Sequence, residues 1–458
     1  MPITRRTFLA SSAAIVAGPA LGAVPASGDV DVVIVGAGAA GISAARRFAA
    51  AKRKYAVVEA TDRIGGRCIT ETTTFGVPFD RGARWIHLPD INPVAQAAAR
   101  AGIDVYGAPP GQKVRIGRRY AREGEMEDYL AAMVRAKRAI DDAARKSDSS
   151  CLSVLPKDLG DWQRTIEFTL GPYGHGKDLG DMSSQDFARS AERDIDAFCR
   201  IGYGAMLAKL GEGLEIATAT PVTRINWAAK GGVEVETSRG KLTARAAVVT
   251  VSSGILTAGK IKFTPDLPRR QLDAASKLSL GSYDHIVLEL PDNPLGLQRD
   301  ELLFEKSDST RTASVLGNMA GTTLCMVDVA GKFGRDLSAQ GEPAMVAFAL
   351  EWLGKLYGSD LKKAVRRTAA TQWNAAPWTL GAMSAAAPGA QSSRKVLMES
   401  LGGRVWFAGE AAHETLWGTV NGAWESGDRA AAEVLKRLSG AAEPAQKRDN
   451  RRGRSQRS

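Results

Sequence analysis

The chain has 458 residues, 44% apolar and 24% charged, ordinary values for a globular protein of two or three domains with cores large enough to need no staples. No apolar run reaches the roughly 18 residues of a membrane-spanning helix, and the four histidines and four cysteines are scattered without metal-ligand or disulfide-framework spacing. Of the net charge of +11, residues 441–458 carry +4 and Arg5 and Arg6 carry +2, so the body is near +5 and the basic balance predicts no nucleic-acid partner.

Residues 1–26 read as a twin-arginine export signal. Arg5-Arg6 precede a weakly apolar run from Phe8 to Leu21, and Val24-Pro25-Ala26 offers a small-residue cleavage site. The expected location is periplasmic or secreted, with export of the folded protein. The expectation for 441–458 is a solvated, disordered basic tail.

Asp31-Val32-Val33-Ile34-Val35 reads as a buried parallel strand. Gly36-Ala37-Gly38-Ala39-Ala40-Gly41 follows at once, then an Ala-rich helix over Ile42 to Ala51 and a second strand over Tyr55 to Val58. Glu59 ends that strand, 18 residues after Gly41. In this context the glycine motif predicts a dinucleotide site. Gly36 permits a tight turn, Gly38 lets backbone approach a pyrophosphate, and Gly41 lets helix pack on strand. Ala40 lies in the helical turn whose free N–H groups and positive dipole face the phosphates. Glu59 is placed to accept from ribose hydroxyls.

The next segment, Glu59-Ala60-Thr61-Asp62-Arg63-Ile64-Gly65-Gly66-Arg67, resembles the one shared by the flavin-containing amine oxidases. The resemblance runs from about Asp29 to Arg437, with gaps in the middle. It implies non-covalent FAD, Arg67 at the pyrophosphate, and a small-molecule amine as substrate. Phe79 to His87 is similar to the family's segment beside the flavin, which implies that Arg84 and Trp85 lie near the ring. Thr220 to Ile225 resembles the strand that clamps the adenine through Val222. Val405 to Glu410 is a strand ending in the Glu that, in the family, meets the ribityl-phosphate region. Gly418 to Ala423 opens a helix running to about Leu438, whose N-terminus at Thr419 and Val420 would stabilise reduced flavin.

The implied fold class is α/β: a discontinuous Rossmann-like FAD-binding domain over 29–95, 205–262 and 394–440, with a mixed α+β substrate domain over 96–204 and 263–393. Residues 122–145, 183–200 and 343–357 read as helices, 284–290 as a strand, and 147–153 and 170–180 as loops. His175, in the second loop, reads as solvated or in contact with substrate.

Three departures from the family pattern matter. His285 falls where the family carries a lysine that holds a water near flavin N5; a neutral imidazole there brings no fixed charge and implies slow reoxidation by oxygen. Ala382 replaces the cysteine that links flavin in monoamine oxidases. Met383 and Thr419 replace their two cage tyrosines, leaving Trp85, Trp373, Trp378 and Trp417 as a substitute aromatic wall. Trp373, within the family's Trp-rich loop, is with His285 the expected catalytic pair. The position after Gly-x-x holds Trp85 and not the carboxylate-binding arginine of L-amino-acid oxidases, which disfavours a carboxylate substrate.

The expected reaction is hydride transfer from an amine to flavin N5, hydrolysis of the imine, and reoxidation by oxygen or a periplasmic electron acceptor. The alternatives are desaturation of an apolar substrate on the same fold and a non-catalytic flavin-binding protein. The export reading predicts that replacing Arg5 and Arg6 with lysine holds the precursor inside the cell. Fractionation and immunoblotting check this, and mature protein in the periplasm of that variant would contradict it.

Overall fold

Burial on both faces explains why the first strand is a continuous apolar run. In the computed structural model, which describes residues 30–191 and 193–440, Val32, Val33 and Ile34 are solvent-inaccessible within strand Val30–Val35. The expected leader and basic tail lie outside the described residues. Val30–Val35 runs parallel to Tyr55–Val58 on one side and to Gly240–Val249 on the other. Ile216–Ala217 extends the sheet beyond Tyr55–Val58; Val233–Thr237, Val222–Asn226 and Lys262–Thr264 extend it beyond Gly240–Val249. On the edge away from Val30–Val35, Gly240–Val249 serves two further partners, antiparallel Val233–Thr237 along its first half and parallel Val405–Phe407 along its second.

Alternate side chains of this sheet enter two different cores, as the period of two requires. Val32, Ile34 and Val248 pack with Phe48 of helix Ala39–Ala50 and Val434 of helix Val420–Leu438. Val33, Val35 and Val249 pack with Ile255, Leu278 and Leu397.

A second sheet of seven strands follows the order Thr368–Ala370, Tyr283–Glu289, Leu324–Ala330, Ser314–Gly317, Glu301–Glu305, Lys113–Ile116 and Arg119–Tyr120. Its core joins Ile286, Val315 and Val327 to Met345, Ala349 and Leu353 of helix Glu342–Tyr357. A small third sheet places Asp196–Cys199 between Ile86–His87 and Val105–Gly107. The whole is a mixed α/β architecture.

Two expected elements differ. The helix expected over 183–200 stops at Arg189, where Ser190 turns to extended backbone, and the chain continues into strand Asp196–Cys199. Pairing on both sides of that strand, with Ala197 and Phe198 buried, outweighs the helical pattern of its charges. The loop expected over 170–180 begins as a wide helical turn, Thr169–Tyr173, that continues helix Gln163–Phe168. It buries His175, whose Nδ1–H donates to the Leu170 carbonyl at 2.8 Å and whose ring packs 5.0 Å from Trp417. Burial pulls the imidazole down to about 3, so His175 is a neutral core residue and not a solvated or substrate-facing one.

A buried ion pair ties these parts together. Arg394 donates from Nε to Asp186 Oδ1 and from Nη2 to Asp186 Oδ2, both at 2.6 Å, with Arg394 fully inaccessible. Asp186 also accepts the Ala386 N–H at 2.9 Å. Removing one partner strands the other charge, at a cost of about 3–5 kcal/mol. Asp186→Ala is therefore expected to lower thermal and urea stability sharply, and a loss under about 1 kcal/mol in urea unfolding would contradict that assignment.

Candidate active site

The glycine motif is needed for steric reasons that can be read atom by atom. Gly36 adopts φ +104, where a Cβ would lie 2.5 Å from Thr250 Oγ1. A Cβ on Gly41 would lie 1.9 Å from the Gly36 carbonyl oxygen, so Gly41 is a packing glycine. Gly38 and Gly66 turn bare backbone toward each other, and a Cβ on Gly66 would sit 3.2 Å from Gly38 Cα. Helix Ala39–Ala50 starts at Gly38 with no side-chain cap, leaving the Ala39 and Ala40 N–H groups without helical acceptors. This end of the molecule opens into a long cavity bordered by Gly36, Gly38, Ala40 and Gly66.

Glu59 closes the turn from the second strand. Its Oε2 accepts the Ala37 N–H at 2.8 Å, and its Oε1 accepts the backbone and side chain of Thr61, both at 2.9 Å. Val222, at the start of its strand, borders the same cavity. Arg63, which the sequence reading passed over, also lines it and donates to the Gly66 carbonyl at 2.8 Å.

Farther along, Arg67 donates to the Ala382 carbonyl and, at 3.0 Å, to Glu410 Oε1. Glu410 Oε2 accepts from the Ser384 hydroxyl at 2.7 Å and the Gly418 N–H at 2.9 Å. Burial alone would raise the Glu410 carboxyl, but Arg67, Ser384 and Arg394 together hold it below the usual carboxylate range. Both oxygens are committed to protein, so Glu410 acts by fixing Arg67 and the Gly418 turn. Thr419 caps helix Val420–Leu438 by accepting the Gly422 N–H at 3.0 Å, and Thr419 and Val420 both line the cavity.

Arg84 is buried, with Nη2 donating to Asp300 at 2.7 Å and its guanidinium 4.5 Å from the centre of the Phe198 ring. Its buried Nε–H finds no acceptor in the protein, and Arg84 borders the cavity. Trp85 packs beside Phe198 at 4.7 Å. The uncapped helix, the Gly38–Gly66 backbone cleft and this orphaned donor are what a large, polar, anionic cofactor bound along the cavity would satisfy.

His285 and Trp373 meet at the loop that carries Arg84. The Trp373 Nε1–H donates to the Arg81 carbonyl at 2.9 Å, and the His285 Nε2–H donates to the Gly82 carbonyl at 3.1 Å. The other His285 nitrogen donates to Asp328 Oδ1 at 2.6 Å, and the Tyr283 hydroxyl donates to Asp328 Oδ2 at 3.0 Å. Two acceptors on one imidazole require both nitrogens to carry protons. Burial opposes the charge, but the Asp328 carboxylate and the two bonds prevail, and the pKa is raised. The expected imidazole with a nitrogen free for water is therefore corrected: both His285 ring nitrogens are taken by protein groups, and the Asp328 carboxylate favours the protonated ring. His285 is a positioning residue for the 82–85 segment, as is Trp373 for Arg81.

Of the expected aromatic wall, Trp85, Trp373 and Trp378 line the cavity, whereas Trp417 is fully buried outside its lining. Tyr173, Tyr283, Arg193, Asp196 and Asp328 line it and were not singled out from sequence. They come from four separate segments, and only Tyr283, next but one to His285, carried a signal in the primary structure.

A family model for flavin-containing amine oxidoreductases matches residues 39–435, and the chain belongs to that family. It is a flavin-dependent amine oxidoreductase. It is 26% identical over 439 residues to polyamine oxidase 2 of Arabidopsis thaliana, covering 89% of this chain and 88% of that one. It is 25% identical to human lysine-specific histone demethylase 2, covering 88% of this chain and 53% of that protein. Cyclohexylamine oxidase from Brevibacterium oxydans shares the fold at a TM-score of 0.74 and 20% identity, over 90% of this chain and all of that one. Putrescine oxidase bound to putrescine shares it at 0.73 and 20% identity, over 89% and 99%.

The His285 geometry gives a pH prediction. Because its folded pKa is raised above the unfolded value of about 6.5, its bonds stabilise fully below that value and fade as pH rises through the folded value. The difference in melting temperature between wild type and His285→Gln should be largest in mild acid and shrink with rising pH. A difference that grows with pH would contradict a charged His285.

Proposed function

We propose that the protein oxidises a small-molecule amine with non-covalent FAD, and that the Gly38–Gly66 cleft beneath the uncapped helix holds the pyrophosphate. That cleft is the observation on which the cofactor reading rests. Arg63 and Arg67 supply cations there. Glu59 and Val222 border the nucleoside end, while Arg84, Trp85, Thr419 and Val420 border the ring. Ala382 offers no thiol for a covalent link. We place the cofactor domain in 29–95, 205–262 and 394–440 and the substrate side in 96–204 and 263–393, with the small third sheet joining strands from both.

Bound FAD supplies the two-electron acceptor for a hydride from the carbon that bears the amine. The chain's own work is placement and exclusion of water. The amine must be uncharged at nitrogen to form an imine, and Asp328 and Asp196 are the cavity carboxylates able to accept its N–H. Water hydrolyses the imine, so that amine, oxygen and water yield a carbonyl compound, the released amine or ammonia, and hydrogen peroxide. Oxygen is the acceptor of this proposal; His285 is paired with Asp328, so any help it gives the charge formed at the first electron transfer comes from the orientation of that pair and not from a net cation. Delivery to a periplasmic carrier is the alternative, and peroxide formed per amine consumed separates the two. The charged cavity groups do not suit desaturation of an apolar substrate.

Acid precipitation is expected to leave all yellow colour in the supernatant; flavin on the pellet would contradict non-covalent binding. Glu59→Ala, which removes three charge-assisted hydrogen bonds that hold the turn in place, each worth about 1.5–3 kcal/mol, is expected to loosen that turn and so weaken FAD binding by about tenfold in fluorescence titration.

A further inference from the structure

The guanidinium of Arg193 borders the same cavity beside Tyr173, Gly174 and Gly418. Its Nη2–H donates to the Trp417 carbonyl at 2.9 Å and its Nη1–H reaches the Gly174 carbonyl at 3.4 Å. A guanidinium has five N–H donors, so three are left over, and no carboxylate among the described residues forms an ion pair with it. Burial draws Arg193 down to about 10, so it stays charged at neutral pH. Asp196 provides the main opposing charge, but Asp196 already accepts a hydrogen bond from His87 at 2.6 Å. Burial lowers the pKa of His87, favouring the neutral imidazole.

Tyr173 supplies a second unspent donor on the same cavity. Its ring is fixed 4.8 Å from Phe304 and 6.2 Å from Tyr283. Its hydroxyl, which lies in the field of Asp328 and Asp196, donates to none of the described residues. The Arg193–Gly174 bond holds the guanidinium against the peptide that follows Tyr173.

The other acids of the cavity do not leave surplus negative charge for a polycation. Asp328 is matched by protonated His285, and Glu410 by Arg67. At this wall Arg193 and Asp196 balance each other in charge, with His87 neutral, so what calls for an anion is the surplus of donors: three guanidinium N–H groups and the Tyr173 hydroxyl. We propose that Arg193, with the Tyr173 hydroxyl, binds a substrate carboxylate, so that the enzyme acts on an amino acid and not on a polyamine. The inference rests on the amine-oxidation reading above. It also revises the expectation drawn from Trp85: the carboxylate-binding arginine comes from the segment before strand Asp196–Cys199 and not from the one before Ile86–His87.

Four amines with the same carbon count separate the possibilities: butylamine, 1,4-diaminobutane, 4-aminobutanoate and L-2-aminobutanoate. Each is mixed anaerobically with the holoenzyme, and bleaching of oxidised flavin is followed against concentration. One of the two amino acids should exceed both butylamine and diaminobutane by about tenfold or more in reduction rate over Kd. In Arg193→Met the ratio of that amino acid to butylamine should fall toward one, and Arg193→Lys should keep part of it. Butanoate, tested by its perturbation of the oxidised-flavin spectrum, should bind wild type and lose at least about tenfold in Arg193→Met. If that variant fails to hold flavin, competition of butanoate against the amine in wild type decides in its place. Reduction by amines with no carboxylate preference and no butanoate binding overturns this inference alone. Butanoate binding through Arg193 in a protein that no amine reduces overturns the amine-oxidation reading instead.

Discussion

One buried carboxylate gathers the cavity. Glu410 stands just after strand Val405–Phe407 and accepts from Arg67, Ser384 and Gly418. Arg67 is 343 residues away in sequence, so the group joins the start of the chain to its end. A buried ion pair of this kind is weak evidence for net stability, because desolvation offsets most of the Coulomb gain. Its effect is on geometry: with both oxygens occupied, Arg67, the Ala382 carbonyl it also meets and the turn before helix Val420–Leu438 can take one arrangement only. Arg394 extends the same knot, since it donates to the Ala411 carbonyl at 3.1 Å while holding Asp186. The walls of the cavity are thus fixed by charge at the points where hydrophobic packing, being non-directional, would leave them free to slide.

What was legible in the sequence was what is local. The Gly36–Gly41 clash is settled within six residues and could be anticipated from spacing alone, as could the strand–helix–strand around it. That Glu59 and Arg67 line the cavity follows from the same short segment, whereas the partner that fixes Arg67 lies 343 residues away. The strand at Asp196–Cys199 was not legible, because the charges spaced along 183–200 mimic a helix and the strand's identity comes from pairing with Ile86–His87 and Val105–Gly107, about 90–110 residues away. The protonation of His285 was beyond reach too: it is decided by Asp328, 43 residues on, and by the Gly82 carbonyl, 203 residues back. Arg193 and Tyr173 belong to the same class, since neither sits in a motif and their meaning comes from the cavity that both border.

The His285 result changes how the family comparison bears on this chain. A lysine at that position would bring a mobile charge able to hold a water. Here the charge is present but locked between Asp328 and a backbone carbonyl, and it has no donor left for water. Its influence on the reaction must run through the electrostatic field and through the loop it pins. That loop carries Arg84, whose own charge is answered by Asp300 at 2.7 Å, so Arg84 and His285 are both paired inside the protein.

Arg63 and Arg193 are different in kind from those paired cations. Both line the cavity, both bond to backbone carbonyls, and neither has an ion-pair partner among the described residues. A partly buried guanidinium whose hydrogen bonds go only to neutral carbonyls, with opposing charge near but not in contact, keeps part of its desolvation cost. A fold keeps such groups where a ligand supplies the missing charge. For Arg63, at the Gly66 turn, the ligand proposed above is the pyrophosphate of FAD. The same reasoning applied at Tyr173 and Gly174, where no phosphate is expected, assigns Arg193 to an anionic group on the substrate itself.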